Sequence, residues 1–244
     1  MKEISVLGVP VTSTTMEELS DIIAEHIKQN KKLTLTAINA RKVVRSKENA
    51  NIDKLLKQFD IHLADGASIV RQASESIQRI TGVDLMSYLI QKADQIQLRI
   101  FLYGAKEEVN VQMQKKLKET YPNICIAGYC NGYDDQDVIK KINMSNANII
   151  FIAKGSPTQE QWIIENKDRV CTNVFLGVGG GFDIMAGALK RAPKWIQKLG
   201  LEWLYRMCQE PRRFLQLPEL LKFYIYVKRN KKKKNEVRGK AYEM

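Results

Sequence analysis

Histidine and cysteine are scarce: 244 residues supply two of the first and four of the second. The cysteines, Cys125, Cys130, Cys171 and Cys208, form no C-x-x-C pair, so neither a zinc site nor a disulfide framework is expected and the thiols read as reduced, as in a cytosolic protein. With only His26, in a helical pattern, and His62, inside a strand pattern, neither a His-rich metal site nor a Ser/His/Asp triad is a candidate. No stretch approaches the ~18 apolar residues of a spanning helix. The opening Met1-Lys2-Glu3-Ile4 starts no apolar run of signal-peptide length. Any membrane role therefore has the protein lying on the bilayer. The G-x-G-x-x-G fingerprint, internal repeats and a Ser/Pro-rich linker are missing as well.

What is present is unevenly charged. The chain carries 39 Lys and Arg against 27 Asp and Glu, a net charge of +12. Residues 1–184 hold 23 basic and 22 acidic side chains, whereas 185–244 hold 16 and 5. A near-neutral body with a cationic tail segment points to one localised anionic partner: a polynucleotide, an anionic membrane or a phosphorylated substrate. A hydrophobic fraction of 44% and a charged fraction of 27% are those of a globular chain and exclude a disordered, collagenous or coiled-coil one.

Short aliphatic runs alternate with amphipathic stretches, the pattern of βα units. Strands are expected near 4–7, 33–37, 61–64, 98–103, 124–129, 148–153 and 173–176, and helices over 16–27, 109–117 and 138–142. The predicted fold is a Rossmann-like α/β domain, a mostly parallel sheet with helices on both faces, over residues 1–190. A basic helical appendage follows over 191–244, the stretch that holds 8 of the 19 aromatic residues from position 191 onward. Such sheets bind ligands beyond the carboxyl ends of their strands. Those ends hold Asn39, Asp65-Gly66, Gly104, Gly128-Tyr129, Gly155-Ser156-Pro157 and the turn from Gly177 to Gly181, and glycines there let backbone approach a ligand.

Asp65, directly after a buried strand, is placed either to take a proton from an incoming hydroxyl or to cap a helix starting near Ala67. The turn Gly177-Val178-Gly179-Gly180-Gly181-Phe182-Asp183 can receive a nucleotide, with Asp183 on a ribose hydroxyl, or can be a tight strand-to-helix connection. Asp134-Asp135-Gln136-Asp137 contains the D-x-D of many metal-dependent sugar-nucleotide enzymes, but its place before Val138 favours a helix cap. Ser156 and Gln159 face a ligand or serve the helix entered at Pro157. Arg79 is a phosphate cation or half of a surface ion pair. In the tail, Trp195, Leu199, Trp203, Leu204, Met207 and Cys208 recur at helical intervals, and Leu220, Leu221, Phe223, Tyr224 and Val227 lead into the lysine run 231–234. That is the composition of a membrane-surface segment, with a core or oligomer contact as the alternative.

In order, Ala37-Ile38-Asn39, Ala64-Asp65-Gly66, Arg79-Ile80-Thr81-Gly82-Val83-Asp84-Leu85-Met86, Gly128-Tyr129, Gly155-Ser156-Pro157-Thr158-Gln159-Glu160-Gln161-Trp162, the glycine turn to Asp183, Arg191-Ala192-Pro193-Lys194-Trp195, Gly200-Leu201-Glu202-Trp203-Leu204-Tyr205-Arg206 and Glu210-Pro211-Arg212-Arg213 resemble the bacterial WecG/TagA/CpsF glycosyltransferase family. The likeness runs from about residue 2 to 215 and is nearest in character to the family's TagA branch. It implies a metal-independent, inverting transfer of an N-acetylhexosamine, N-acetylmannosamine in that branch, from UDP to an undecaprenyl-diphosphate-linked N-acetylglucosamine. The reaction would take place on the cytoplasmic membrane face, in wall teichoic acid or related glycan synthesis. No cofactor is implied. Residue by residue it implies Asp65 as base, Asn39 and Gln159 around the sugar and diphosphate, and Tyr129 and Asp183 on the nucleoside. It gives Arg79 to the substrate and Arg206, Arg212 and Arg213 to the diphosphates. Two departures stand out: Ala37 takes the place of a threonine in many relatives, with Thr36 on the opposite strand face, and the segment from Asp65 to Arg79 is short.

Two other classes compete. A nucleic-acid-binding α/β protein would use the C-terminal lysines but leaves the strand-end residues unexplained, so no nucleic-acid partner is expected. A nicotinamide-dependent oxidoreductase lacks its fingerprint. The oligomeric state, a homo-oligomer included, stays open.

Overall fold

A computed structural model describes residues 1–133 and 136–242, with side-chain surroundings given as far as 231. The chain opens with β1 (Lys2–Val6) and β2 (Val9–Ser13), followed by α1 (Met16–Lys28), β3 (Leu33–Ile38), α2 (Ala40–Glu48), α3 (Ala50–Leu56) and β4 (Ile61–Ala64). It continues through α4 (Ala67–Val70), α5 (Gly82–Ile96), β5 (Arg99–Gly104), α6 (Glu107–Thr120), β6 (Cys125–Cys130), α7 (Val138–Ser145) and β7 (Ile149–Ala153). Then come α8 (Thr158–Asn166), β8 (Val174–Gly177), α9 (Gly181–Met185), α10 (Lys194–Leu199), α11 (Glu202–Gln209), a 3-10 turn (Pro211–Gln216) and α12 (Leu217–Tyr242).

Strands β3 to β8 make a six-stranded sheet in the order β4-β3-β8-β7-β5-β6, every neighbouring pair parallel. The predicted Rossmann-like class is what the chain adopts, helical C-terminal region included. The strands read as unbroken aliphatic runs because both faces are covered; β7 is buried at every residue. Alternation along each strand sorts side chains to two cores. Leu33, Leu35, Ile100, Leu102, Ile149 and Phe151 meet α1, α5, α6 and α9 on one face. Phe101, Tyr103, Ile150 and Phe175 meet α7 and α8 on the other.

One expectation needs correction. The strand near 4–7 does not join the sheet: β1 pairs antiparallel with β2 in a separate hairpin. Its turn is Leu7-Gly8, with φ of 54° and 93°, and leucine in that region gives no turn signal of the Asn-Gly kind. The expected C-terminal helical region is present, and its last helix packs on the body of the fold. Phe223 and Val227 are buried in a core shared with β1, β2 and α2, while Glu219 accepts hydrogen bonds from Arg41 Nε at 2.7 Å and Arg45 Nε at 2.8 Å. Losing a buried phenylalanine costs about 3–5 kcal/mol. Phe223→Ala is therefore expected to lower Tm by about 6–20 °C, at ~2–4 °C per kcal/mol for a chain of this size. A calorimetric Tm within two or three degrees of the parent would mean that α12 is detachable.

Candidate active site

β3 and β8 are neighbours, yet the helices they feed diverge. α2 packs its Val43 and Val44 on one side of the sheet, and α9 packs Phe182 on the other. The gap between them is the crevice expected where strand connections change sides. It forms a pocket of about 470 Å³ walled by the ends of β3, β4 and β8 and roofed by α11, the 3-10 turn and the start of α12. A larger depression of about 830 Å³ is lined by α7, by Trp162 and Asn166 of α8, and by the adjoining Asp137 and Arg169, and holds none of the residues that the family likeness assigns to the site.

Asp65 lines the main pocket. The structure discounts the capping role weighed for it: Gly66 is the residue in the N-cap position of α4, and no side chain caps that helix. The Asp65 carboxylate has no hydrogen-bond partner among the described residues. Burial pushes its carboxyl above the usual range against the opposing pull of Arg79, and Glu202 adds to the rise. Arg79 donates to the Asp65 backbone carbonyl at 2.7 Å and to Glu202 Oε2 at 2.5 Å. It is thus in the pocket and in an ion pair at once, and Glu202, which the motifs carried without a role, reaches it from α11.

Asn39 and Gln159 also line the pocket, and each has a structural task as well. Asn39 caps α2 by accepting from the Lys42 N–H at 3.1 Å. Gln159 accepts from the Gly179 N–H at 3.0 Å. A Cβ at Gly177 would stand 2.7 Å from Gln159 Nε2, so glycine there is required by the glutamine as much as by any ligand. Ala37 lines the pocket, whereas Thr36, on the opposite strand face, accepts from Lys42 Nζ at 2.8 Å.

Arg206 and Arg213 enter from above. The Arg206 guanidinium lies so close over the glycine turn that a Cβ on Gly180 would meet its Nη2 at 2.8 Å. That Nη2 is buried and has no hydrogen-bond partner, and burial together with the like charge of Arg213 draws its proton affinity down. Arg213 is held by Glu210, Nε to Oε2 2.5 Å. Asp183 stands beside both arginines. Its carboxyl is raised by burial and then by Glu210, with the arginines pulling the other way.

Three assigned residues are outside the lining of this pocket: Asp183, which stands beside it next to Gly180, and Tyr129 and Arg212, which lie farther off. Tyr129 lies on the edge strand β6, exposed and hydrogen-bonded to Glu107, and its neighbour Gly128 serves the Phe101 ring, which a Cβ would meet at 2.7 Å. Arg212 is exposed and outside the pocket lining. Of the D-x-D run, Asp134 and Asp135 lie outside the described residues. Asp137 takes the N-cap position of α7 but makes no side-chain capping bond. Ser156 and Pro157 give α8 no side-chain cap either.

The roof continues into exposed apolar surface. Leu199, Leu204, Phe214, Leu215, Leu221 and Ile225 are exposed, and Trp203 and Tyr224 belong both to this surface and to the pocket wall. Among the described residues no helix is long and apolar enough to cross a membrane.

The glycosyl transferase WecG/TagA/CpsF family model matches residues 4–237. That match runs past the motif likeness, which stopped near 215, and takes in the lysine run 231–234. The N-acetylglucosaminyldiphosphoundecaprenol N-acetyl-beta-D-mannosaminyltransferase of Bacillus subtilis (strain 168) is 32% identical over 241 residues, 96% of this chain and 94% of that one. The chain therefore belongs to the WecG/TagA/CpsF family of glycosyltransferases.

Proposed function

We propose that the protein transfers an N-acetylhexosamine, with N-acetylmannosamine the first choice, from UDP to undecaprenyl-diphosphate-linked N-acetylglucosamine, with inversion, in wall teichoic acid or related glycan synthesis. The observation that carries this reading is the Asp65 carboxylate, unpaired at the floor of a pocket whose roof holds the Arg206 and Arg213 guanidiniums. The name of the Bacillus subtilis relative supports the choice of sugar and acceptor.

In the proposed step the acceptor hydroxyl gives its proton to Asp65 as its oxygen bonds to the anomeric carbon. The bond from that carbon to UDP breaks on the opposite face, and UDP leaves with the electron pair. One base and positive charge at the departing diphosphate are what this displacement needs. Arginine forks suit a diphosphate because they bond it bidentately. The reading is metal-independent, since guanidiniums supply the charge a cation would. Transfer is accordingly expected to continue at full rate in excess EDTA and to give the anomer opposite to the donor's by NMR; loss of activity restored by a divalent cation, or a retained anomer, would contradict it.

The same reading places the enzyme peripherally on the inner membrane face, with the C-terminal segment meeting anionic lipid, in part through exposed apolar side chains between Leu199 and Ile225. Leu215 and Leu221 are 85% and 58% exposed, so replacing both by Asp leaves the core intact. The double variant is expected to bind phosphatidylglycerol vesicles at least about tenfold more weakly, since each inserted leucine is worth ~1.5–3 kcal/mol. Unchanged co-sedimentation would remove this surface from the membrane contact.

A further inference from the structure

Lys42, which lines the pocket, and Glu160 behind it form a charged pair that the proposed step does not use. Lys42 is 5% exposed and Glu160 is fully buried, with Lys42 Nζ 2.8 Å from Glu160 Oε1. We propose that Lys42 and Glu160 are positioning residues that fix the Gln159 side-chain amide and, through it, the β8 turn that walls the donor pocket. The proposal rests on that pocket being the nucleotide-sugar site.

The geometry is a chain of bonds across the strand ends. Lys42 Nζ donates to Thr36 Oγ1 on β3 and to Glu160 Oε1 on α8, each at 2.8 Å. The same Glu160 oxygen accepts from Gln159 Nε2 at 2.8 Å. Gln159 Oε1 then accepts from the Gly179 N–H at 3.0 Å. Only one amide orientation satisfies both neighbours, because a carboxylate requires the NH2 side and a backbone N–H requires the oxygen. Lys42 also gives its backbone N–H to Asn39. The buried pair thereby holds Gln159 and, through it, Gly179, both of which line the pocket; the bond to Asn39 comes from the Lys42 main chain and survives a change of side chain.

Stability is a poor reason for keeping such a pair. Burying two charges costs much of what their attraction returns, and apolar residues of similar volume often replace a whole pair without loss. Glu160 stays ionised here because Lys42 and its hydrogen bonds outweigh burial, which alone would raise its carboxyl. What apolar residues cannot supply is an oxygen for Gln159.

Two uncharged double variants separate positioning from packing. Lys42→Met with Glu160→Gln keeps an acceptor oxygen beside Gln159, while Lys42→Met with Glu160→Leu removes it. Both avoid the unpaired buried charge that either single change would leave. The Gln version is expected to keep the KM for the UDP-sugar within about twofold of the parent. The Leu version is expected to raise it about tenfold, the loss of one buried hydrogen bond, with the KM for the lipid acceptor unchanged in both. Equal donor KM values in the two variants would overturn the proposal. A second readout needs neither variant nor substrate: the Gln159 side-chain amide and the Gly179 N–H should exchange with solvent hydrogen far more slowly than exposed amides, and fast exchange at either would overturn it too. Should the parent chain turn over no UDP-sugar, the proposed function fails, and the exchange measurement still decides the positioning.

Discussion

Asp65→Asn is expected to lower turnover about 10²–10⁴-fold, the usual worth of a general base, without lowering Tm. Removal of the carboxylate leaves the arginine roof and the glycine turn in place, so the KM for the UDP-sugar should change little. The stability half of the expectation follows from the same burial that raises the Asp65 carboxyl. A carboxyl with a raised folded pKa holds its proton more tightly in the native state than in the unfolded one. The native state then loses stability as pH climbs from the ordinary carboxylate value, about 3.9, through the raised one. At neutral pH asparagine removes that cost, so Tm should stay level or rise, and the advantage should shrink under acid. In the parent, the acid limb of kcat/KM should lie above the ordinary carboxylate range, because Asp65 accepts a proton only when ionised. A variant with parental turnover would take the base role from Asp65.

Arg206→Ala should cost about 10²–10³-fold in kcat, comparable to deleting one preorganised donor to a developing negative charge. Its Nη2 is buried over Gly180 and without a hydrogen-bond partner, a state that a diphosphate oxygen would relieve. Arg206→Lys should recover only part of the loss, since an ammonium keeps the charge and gives up the fork. Arg212→Ala is the contrast. From its exposed position outside the pocket, a change of no more than about twofold is expected. Steady-state kinetics on the three variants checks the ordering, and equal losses at Arg206 and Arg212 would contradict it.

The parallel sheet was legible because strands covered on both faces leave uninterrupted aliphatic runs; residues 61–64 and 149–153 show it most plainly. The hairpin was not, because Leu7-Gly8 carries no usual turn signature and Pro10 breaks the strand pattern of β2. Asp65 could be singled out since a carboxylate after a buried strand is conspicuous in one dimension. Lys42 and Glu160 could not. A lysine just past a strand end reads as solvated surface, and its partner lies 118 residues further on. Glu202 was hidden in the same way, 123 residues from the Arg79 it holds. The aromatic tail was ambiguous for a different reason: helical spacing identifies an apolar face without saying what covers it. The fold divides that face, burying Phe223 and Val227 in the core and leaving Leu215 and Leu221 in the open.

The site is completed from two directions: the sheet supplies Asp65 and the glycine turn, and the C-terminal helices supply Arg206, Arg213 and Glu202. The proposed activity there is group transfer from a UDP-sugar to a lipid-diphosphate sugar. The direct measurement is UDP formation from UDP-N-acetylmannosamine, with and without an undecaprenyl-diphosphate-linked N-acetylglucosamine analogue. UDP release that depends on the acceptor, matched mole for mole by a disaccharide-lipid product, is the expected result; UDP released equally without acceptor, or no transfer from any UDP-N-acetylhexosamine offered, would contradict it.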